Sequence, residues 1–237
     1  MPPGLLRLAV LGTIAFPVSA LAAEQGFFAG LDASTGAAFG SSKTTNGGAP
    51  FAGGGVVDSV KFGAAWGIGG HVGYQFDPAM SAFISYQSIW GGVRWNTNYP
   101  SVGASSKFDG MAISNVILGN VAYEFPLSDA TTLRTTAGLG VAFNTLSNVT
   151  ETDRPTGIFL AGLASHTKVG PAAQVGLGFR HRIAPNTVLG LDGLVAYTGG
   201  FETGNTRNGN LGTTGINPYR IDDVWRASVS ASIKASF

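Results

Sequence analysis

From Gln25 to the end, the chain alternates with period two, and its ionised side chains keep to one of the two resulting faces. Along residues 61–76 one face carries Phe62, Ala64, Trp66, Ile68, Val72, Tyr74 and Phe76. The other carries Lys61, Gly63, Ala65, Gly67, Gly69, His71, Gly73 and Gln75. A helix would scatter both sets around its circumference, whereas a strand separates them. The same division predicts strands over 27–39, 81–95, 111–125, 132–147, 167–183, 188–201 and 223–237, with a bulge expected near Gly91-Gly92. Asp32, Lys61, Glu124, Arg134, Lys168, Arg180, Arg182, Asp192, Arg226 and Lys234 all fall on the non-aromatic face. A charge at mid-membrane on a lipid-facing strand costs about 2–4 kcal/mol, so a face cleared of charge is what lipid demands.

Period two does not by itself say which face points inward. A soluble barrel with an apolar interior is the rival, and two features count against it. The polar face is crowded with small residues such as Gly67, Gly69, Gly73, Gly138, Gly176 and Gly178, which suit a narrow lumen and weaken a solvated strand. The apolar face carries Trp66, Trp90, Trp225, Tyr74, Tyr86, Tyr123 and Tyr197, many near strand ends, as in the aromatic girdles of membrane barrels. Lipid cannot satisfy a free sheet edge, so the sheet must close. The fold expected is all-β, an eight-stranded antiparallel up-and-down transmembrane β-barrel.

Connections alternate in length. Residues 77–80, 126–131 and 184–187 are tight turns with Pro, Asp or Asn, while 40–60, 96–110, 148–166 and 202–222 are long and are expected as extracellular loops. Residues 1–23 have the form of a secretory signal: Arg7, an apolar run over 8–18, then Ser19-Ala20-Leu21-Ala22-Ala23 with cleavage after Ala22 or Ala23. The barrel domain is then 24–237. Charged residues make up 11 % of the chain, well under the ~25 % of soluble domains. Removing Arg7 with the leader leaves 13 basic side chains against 13 acidic ones, and no Lys/Arg cluster suits nucleic acid. Cysteine is absent, which excludes disulfides and thiolate metal sites.

This pattern, with Asn120-Val121-Ala122-Tyr123-Glu124-Phe125 ending the fourth strand and a terminal Phe237, resembles small bacterial outer-membrane barrels of the OmpA-like transmembrane-domain and opacity-protein type. The resemblance spans roughly residues 26–237. It implies that the last strand is read by the barrel-insertion machinery, with Phe237, Ile233 and Val229 matching that signal and Ala235 departing from it, since an aromatic is common there. It also implies outer-membrane lipid and lipopolysaccharide as surroundings.

Eight strands leave an interior that side chains can fill. Glu124, Arg134, Arg180, Arg182, Asp192, Arg226 and Lys234 are expected to form a lumenal ion-pair network. No catalytic, metal or cofactor set is expected. Ser165-His166 are adjacent, so a strand would point them to opposite faces. Asp222-Asp223 reads as a solvated loop base before it reads as a cation site. Gly157–Leu163 is apolar for an exposed segment; it reads as a hairpin above the membrane, or as a surface patch of Ile158, Phe159 and Leu160 for a host or extracellular ligand. Pro171 cannot donate to a ladder, so a bulge is expected there. The function expected is structural or surface-interacting through the long loops, with a narrow channel for small solutes or ions as alternative and a lipid-modifying enzyme third.

Overall fold

The computed structural model describes residues 25–42, 45–46, 55–210 and 212–237; the expected leader over 1–23 lies outside them. The strands are β1 (Gly26–Ser41), β2 (Thr45–Asn46), β3 (Gly55–Gln75), β4 (Met80–Tyr99), β5 (Ala104–Pro126), β6 (Thr131–Asp153), β7 (Phe159–Leu163), β8 (His166–Ala184), β9 (Thr187–Tyr197), β10 (Phe201–Glu202), β11 (Thr206–Gly209), β12 (Gly212–Gly215) and β13 (Arg220–Ser236). Eight of them, β1, β3, β4, β5, β6, β8, β9 and β13, pair antiparallel in a closed ring, β13 returning to β1 from Phe28↔Ser236 upward. The ring has no free edge around the membrane, as lipid requires. The tight turns lie at one end together with both ends of the barrel, where Phe237 N–H donates to Phe27 O at 2.9 Å.

The apolar face points outward. Leu31, Ile68, Val72, Ile84, Val121, Leu139, Val175, Leu191 and Val229 are all exposed. Two rows of rings bound this belt. Phe27, Tyr74, Phe76, Tyr123, Phe125 and Phe237 lie at the turn end, and Phe39, Trp66, Trp90 and Trp225 at the other. Between the rows, Asn115 is a polar residue on the outer face, and the Tyr86 hydroxyl donates to its Oδ1 at 2.8 Å.

Most of the expected loops are strand. β5 and β6 run 23 residues each, about twice the ~9–11 that cross a bilayer, so the wall continues well above the outer ring row. The expected hairpin is present: β7 folds back on β6 with Val149↔Leu163, through a turn at Gly157 with φ 72°. β11 then adds to β7, and β12 to β11.

The period-two phase does not run unbroken up this wall. In β3 the ladder to β4 slips between Phe62 and Ala65, so the extra residue lies at Gly63-Ala64, opposite the Gly91-Gly92 where the bulge was expected. In β6 the extra residue is Asn148, at φ 52°, and in β13 it is Asp223, at φ 53°. All three lie just above the outer ring row. Each rotates the strand above it by one position. Phe62, assigned to the lipid face by alternation, therefore packs inward, and Lys61, assigned to the lumen, is exposed outside. Val149 and Ile221 are turned inward in the same way.

No bulge forms at Pro171. It sits in register opposite Val141 in the β6–β8 ladder. The β8–β9 ladder ends at Ala173↔Tyr197, so β9 has left the wall before Pro171 is reached on that side.

Candidate functional site: the barrel interior

The interior falls into two parts. Below the outer ring row it is largely polar, beneath a small apolar layer of Ala65, Ile89, Val116, Leu118, Ala142 and Ala172. Arg180 Nη2 meets Asp192 Oδ2 at 2.8 Å, and His71 Nδ1 lies 3.0 Å from Asp32 Oδ2. Lys234 Nζ is 3.9 Å from Glu124 Oε1 and 4.9 Å from the Phe28 ring centroid, while Glu124 Oε2 accepts from Thr132 at 2.9 Å. The Arg134 guanidinium lies over Phe83 at 4.8 Å. Asn120 donates to Ser85 at 2.9 Å and accepts from Gln174 at 3.2 Å. Arg226 donates to Gln87 Oε1 at 2.9 Å.

Six of the seven residues expected in a lumenal network are thus buried inside the wall, and Arg182 is not. Its parity matches Arg180, but it stands one step nearer the turn, at the mouth, where solvent reaches it. Alternation reports which face a residue takes and says nothing about depth. Asp32 and His71 share the network and have the same parity signal in the sequence. The inward rings Phe28 and Phe83 have none, because they occupy the polar face. Glycine supplies the room: a Cβ at Gly178 would lie 2.2 Å from Asp192 Oδ1, and one at Gly30 would lie 2.4 Å from His71 Nε2. The remaining space among Asp32, His71, Arg134, Arg180 and Asp192 is a cavity of about 40 Å³.

Above the outer ring row the chemistry inverts. Trp95 and Phe108 stack with ring centroids 5.1 Å apart at 2°, and Tyr219 packs 4.8 Å from Phe108. Val93, Leu146, Val149, Leu163, Phe201, Ile216, Ile221 and Val224 complete a buried apolar cluster. The outside there is polar: Arg94 Nε meets Asp109 Oδ1 at 2.5 Å and Lys107 Nζ meets Oδ2 at 2.9 Å. Burial would raise the Asp109 carboxyl, but the hydrogen bonds from Arg94 and Lys107 outweigh it and hold the group below its ordinary range.

The chain that leaves β9 helps to close this part. Thr198, Gly199 and Gly200 run inside the wall, where Asn144 Nδ2 donates to Thr198 O at 2.5 Å and to Gly200 O at 3.1 Å. Gly199 has φ 80°, which favours glycine, and passes close to Gly170. Two polar knots are buried within the apolar cluster. Glu151, 2 % exposed, accepts from Ser106 and from Arg207 Nε, both at 2.7 Å. The Tyr99 and Tyr219 hydroxyls meet at 2.7 Å, and burial with that neighbour raises the Tyr99 phenol far above its ordinary value, so it stays neutral.

The remaining candidates are scattered. Ser165 and His166 are both exposed at the start of β8. Asp222 faces Lys168 at 3.5 Å, and Asp223 is the bulge residue of β13. Ile158 and Phe159 are exposed at the β6–β7 turn, whereas Leu160 is half-buried. Val229, Ile233 and Phe237 all lie on the lipid face of β13 and just beyond it.

No family model matches the chain, and no curated protein matches its sequence. Among solved structures, the outer membrane protein OprG from Pseudomonas aeruginosa shares 14 % identity over 90 % of this chain and 97 % of that one, with a TM-score of 0.50. Neisserial surface protein A matches at 15 % identity over 90 % and 97 %, TM-score 0.44. The outer membrane protein AlkL matches at 20 % over 94 % and 95 %, TM-score 0.41. At such identities the likeness is one of fold.

Proposed function

We propose that this chain, by fold a small bacterial outer-membrane β-barrel protein, is a non-conducting scaffold that presents its extracellular sheet as an interaction surface. The observation that carries this reading is the buried apolar cluster around Trp95, Phe108 and Tyr219, which packs the outer end of the barrel above the lumen. A narrow conduit would have to dismantle that cluster. Planar bilayers holding the full chain are expected to show no single-channel steps at any voltage; steady conductance would overturn the scaffold reading.

The contact patch proposed is Ile158 and Phe159, at 60 % and 49 % exposure, on a turn braced by Asp153 N–H to Ile158 O at 2.8 Å. Deleting 157–163 would be a poor test, since Ala161 and Leu163 are buried against the wall. Replacing Ile158 and Phe159 by serine leaves that packing intact and is expected to lower binding to host cells or matrix proteins. Unchanged binding would remove the patch from the proposal. The outward Val229, Ile233 and Phe237 support the reading of β13 as the strand engaged by the insertion machinery.

A further inference from the structure

Arg226 is 5 % exposed, and like Arg134, which lies over the Phe83 ring, it takes part in no ion pair among the described residues. Its Nη2 donates to Gln87, but Nε and Nη1 have no hydrogen-bond partner among the described residues. A buried guanidinium held by one neutral amide leaves its charge uncompensated, which is costly unless something else supplies the counter-charge. By contrast Arg180, at a similar burial, has Asp192 in direct contact.

Arg226 lines a cavity of about 30 Å³ together with Ser114, Thr198, Ala65, Ile89 and Val224. The same cavity is bordered by Gly63, Trp90 and Gly92, which belong to the outer surface of the wall. It therefore lies where the β3–β4 ladder slips and where glycine replaces the side chains that would screen the interior from lipid. A Cβ at Gly92 would meet nothing within 4 Å. Trp66 and Trp90, opposite each other in the ladder, put this gap at the level of the outer ring row.

We infer that Arg226 is a binding site for the carboxylate head of an alkyl carboxylate entering from the outer leaflet, with the chain lying on the glycine gap between β3 and β4. The charge of the ligand follows from the unpaired cation. Its small head follows from the volume, since about 10–15 Å³ is needed per water-sized group and the space takes roughly two. Its alkyl tail follows from a gap that opens at the lipid-facing wall and from a lining that is apolar apart from Arg226, Ser114 and Thr198. The site does not depend on the outer end being closed.

The test uses the full chain in phosphatidylcholine vesicles with dodecanoic acid carrying ¹³C at the carboxyl. The expected result is a second carboxyl resonance, one per chain, that saturates and is distinct from acid dissolved in the bilayer. Arg226→Gln should weaken this binding about tenfold or more, the worth of a charge-assisted hydrogen bond. Gly92→Leu should also reduce it, because the leucine covers the gap while leaving Arg226 in place. Heat-dependent gel mobility shows that both variants remain folded. No protein-dependent resonance, or equal binding by Arg226→Gln, overturns the site. Equal binding of ¹³C-acetate overturns the alkyl part and reduces the site to one for an adventitious ion only.

Discussion

One barrel wall encloses two interiors of opposite chemistry. Between the ring rows the outside is hydrocarbon-like and the inside holds Arg180–Asp192, His71–Asp32 and Lys234 near Glu124. Above the outer row the outside carries Arg94, Lys107 and Asp109, and the inside holds Trp95, Phe108 and Tyr219. The solvent outside decides which interior is stable. Lipid gives little hydrophobic reason to pack apolar groups inward, so beneath the small layer of Ile89, Val116 and Leu118 the lower half encloses polar groups that must satisfy one another. Water restores the hydrophobic term, and the upper half is built as a small soluble barrel.

The strands change from one regime to the other in two ways. In β4 and β5 the phase is kept and the residues change: inward Ser81 and Ser85 give way to inward Val93 and Trp95. In β3, β6 and β13 the alternation of residues is kept and a bulge turns the phase.

Substitutions that treat the halves differently test this contrast. Arg180→Ala strands Asp192 in the lumen and is expected to cost about 3–5 kcal/mol, whereas the double change Arg180→Met with Asp192→Leu is expected to be near neutral. Reversible urea unfolding in lipid vesicles reads both, and equal losses would mean that the lower interior does not depend on pairing. Trp95→Ala is expected to cost a comparable 3–5 kcal/mol or so through the cavity it leaves. Here the loss should concentrate in the outer half: protease should cut the extracellular sheet while the membrane part keeps its heat-modifiable mobility. Tyr219→Phe removes one hydroxyl of a buried pair, for a loss of about 1 kcal/mol in the same unfolding measurement.

The smallest effect expected is a pH dependence on the outer surface. The carboxyl of Asp109 is held below its unfolded value, so the stability it contributes is present above the ordinary carboxylate range. That contribution is lost as pH falls through the lowered value. Being half-exposed, it should shrink in salt, and Asp109→Asn should abolish it. Opening of the extracellular sheet, followed by amide exchange across the acid range, measures it.

The closed ring, its lipid-facing side and six of the seven lumenal residues were legible because lipid penalises charge on every strand it touches. Alternation over Leu139, Val141 and Phe143 is a repeated signal that one anomaly cannot hide. Residues 148–166 and 202–222 were read as loop because the alternation breaks next to Asn148 and Asp223, whose positive φ marks the bulges. Nothing in local composition says that the chain resumes as strand in a new phase. The inward cluster of Trp95, Phe108 and Tyr219 was hidden for a second reason. Its members come from segments 95, 108 and 219, far apart in sequence and each unremarkable alone.

The bulges make residue count behave like a reading frame. Deleting Asn148 would leave every later residue of β6 chemically unchanged yet mirror its facing, putting Val149 and Glu151 into water and stranding Ser106 and Arg207 without their acceptor. A single missing residue there would undo more contacts than most replacements could. Lengthening or shortening this wall is therefore tolerable only in steps that preserve parity, or at the turn tips, where no frame has to be kept.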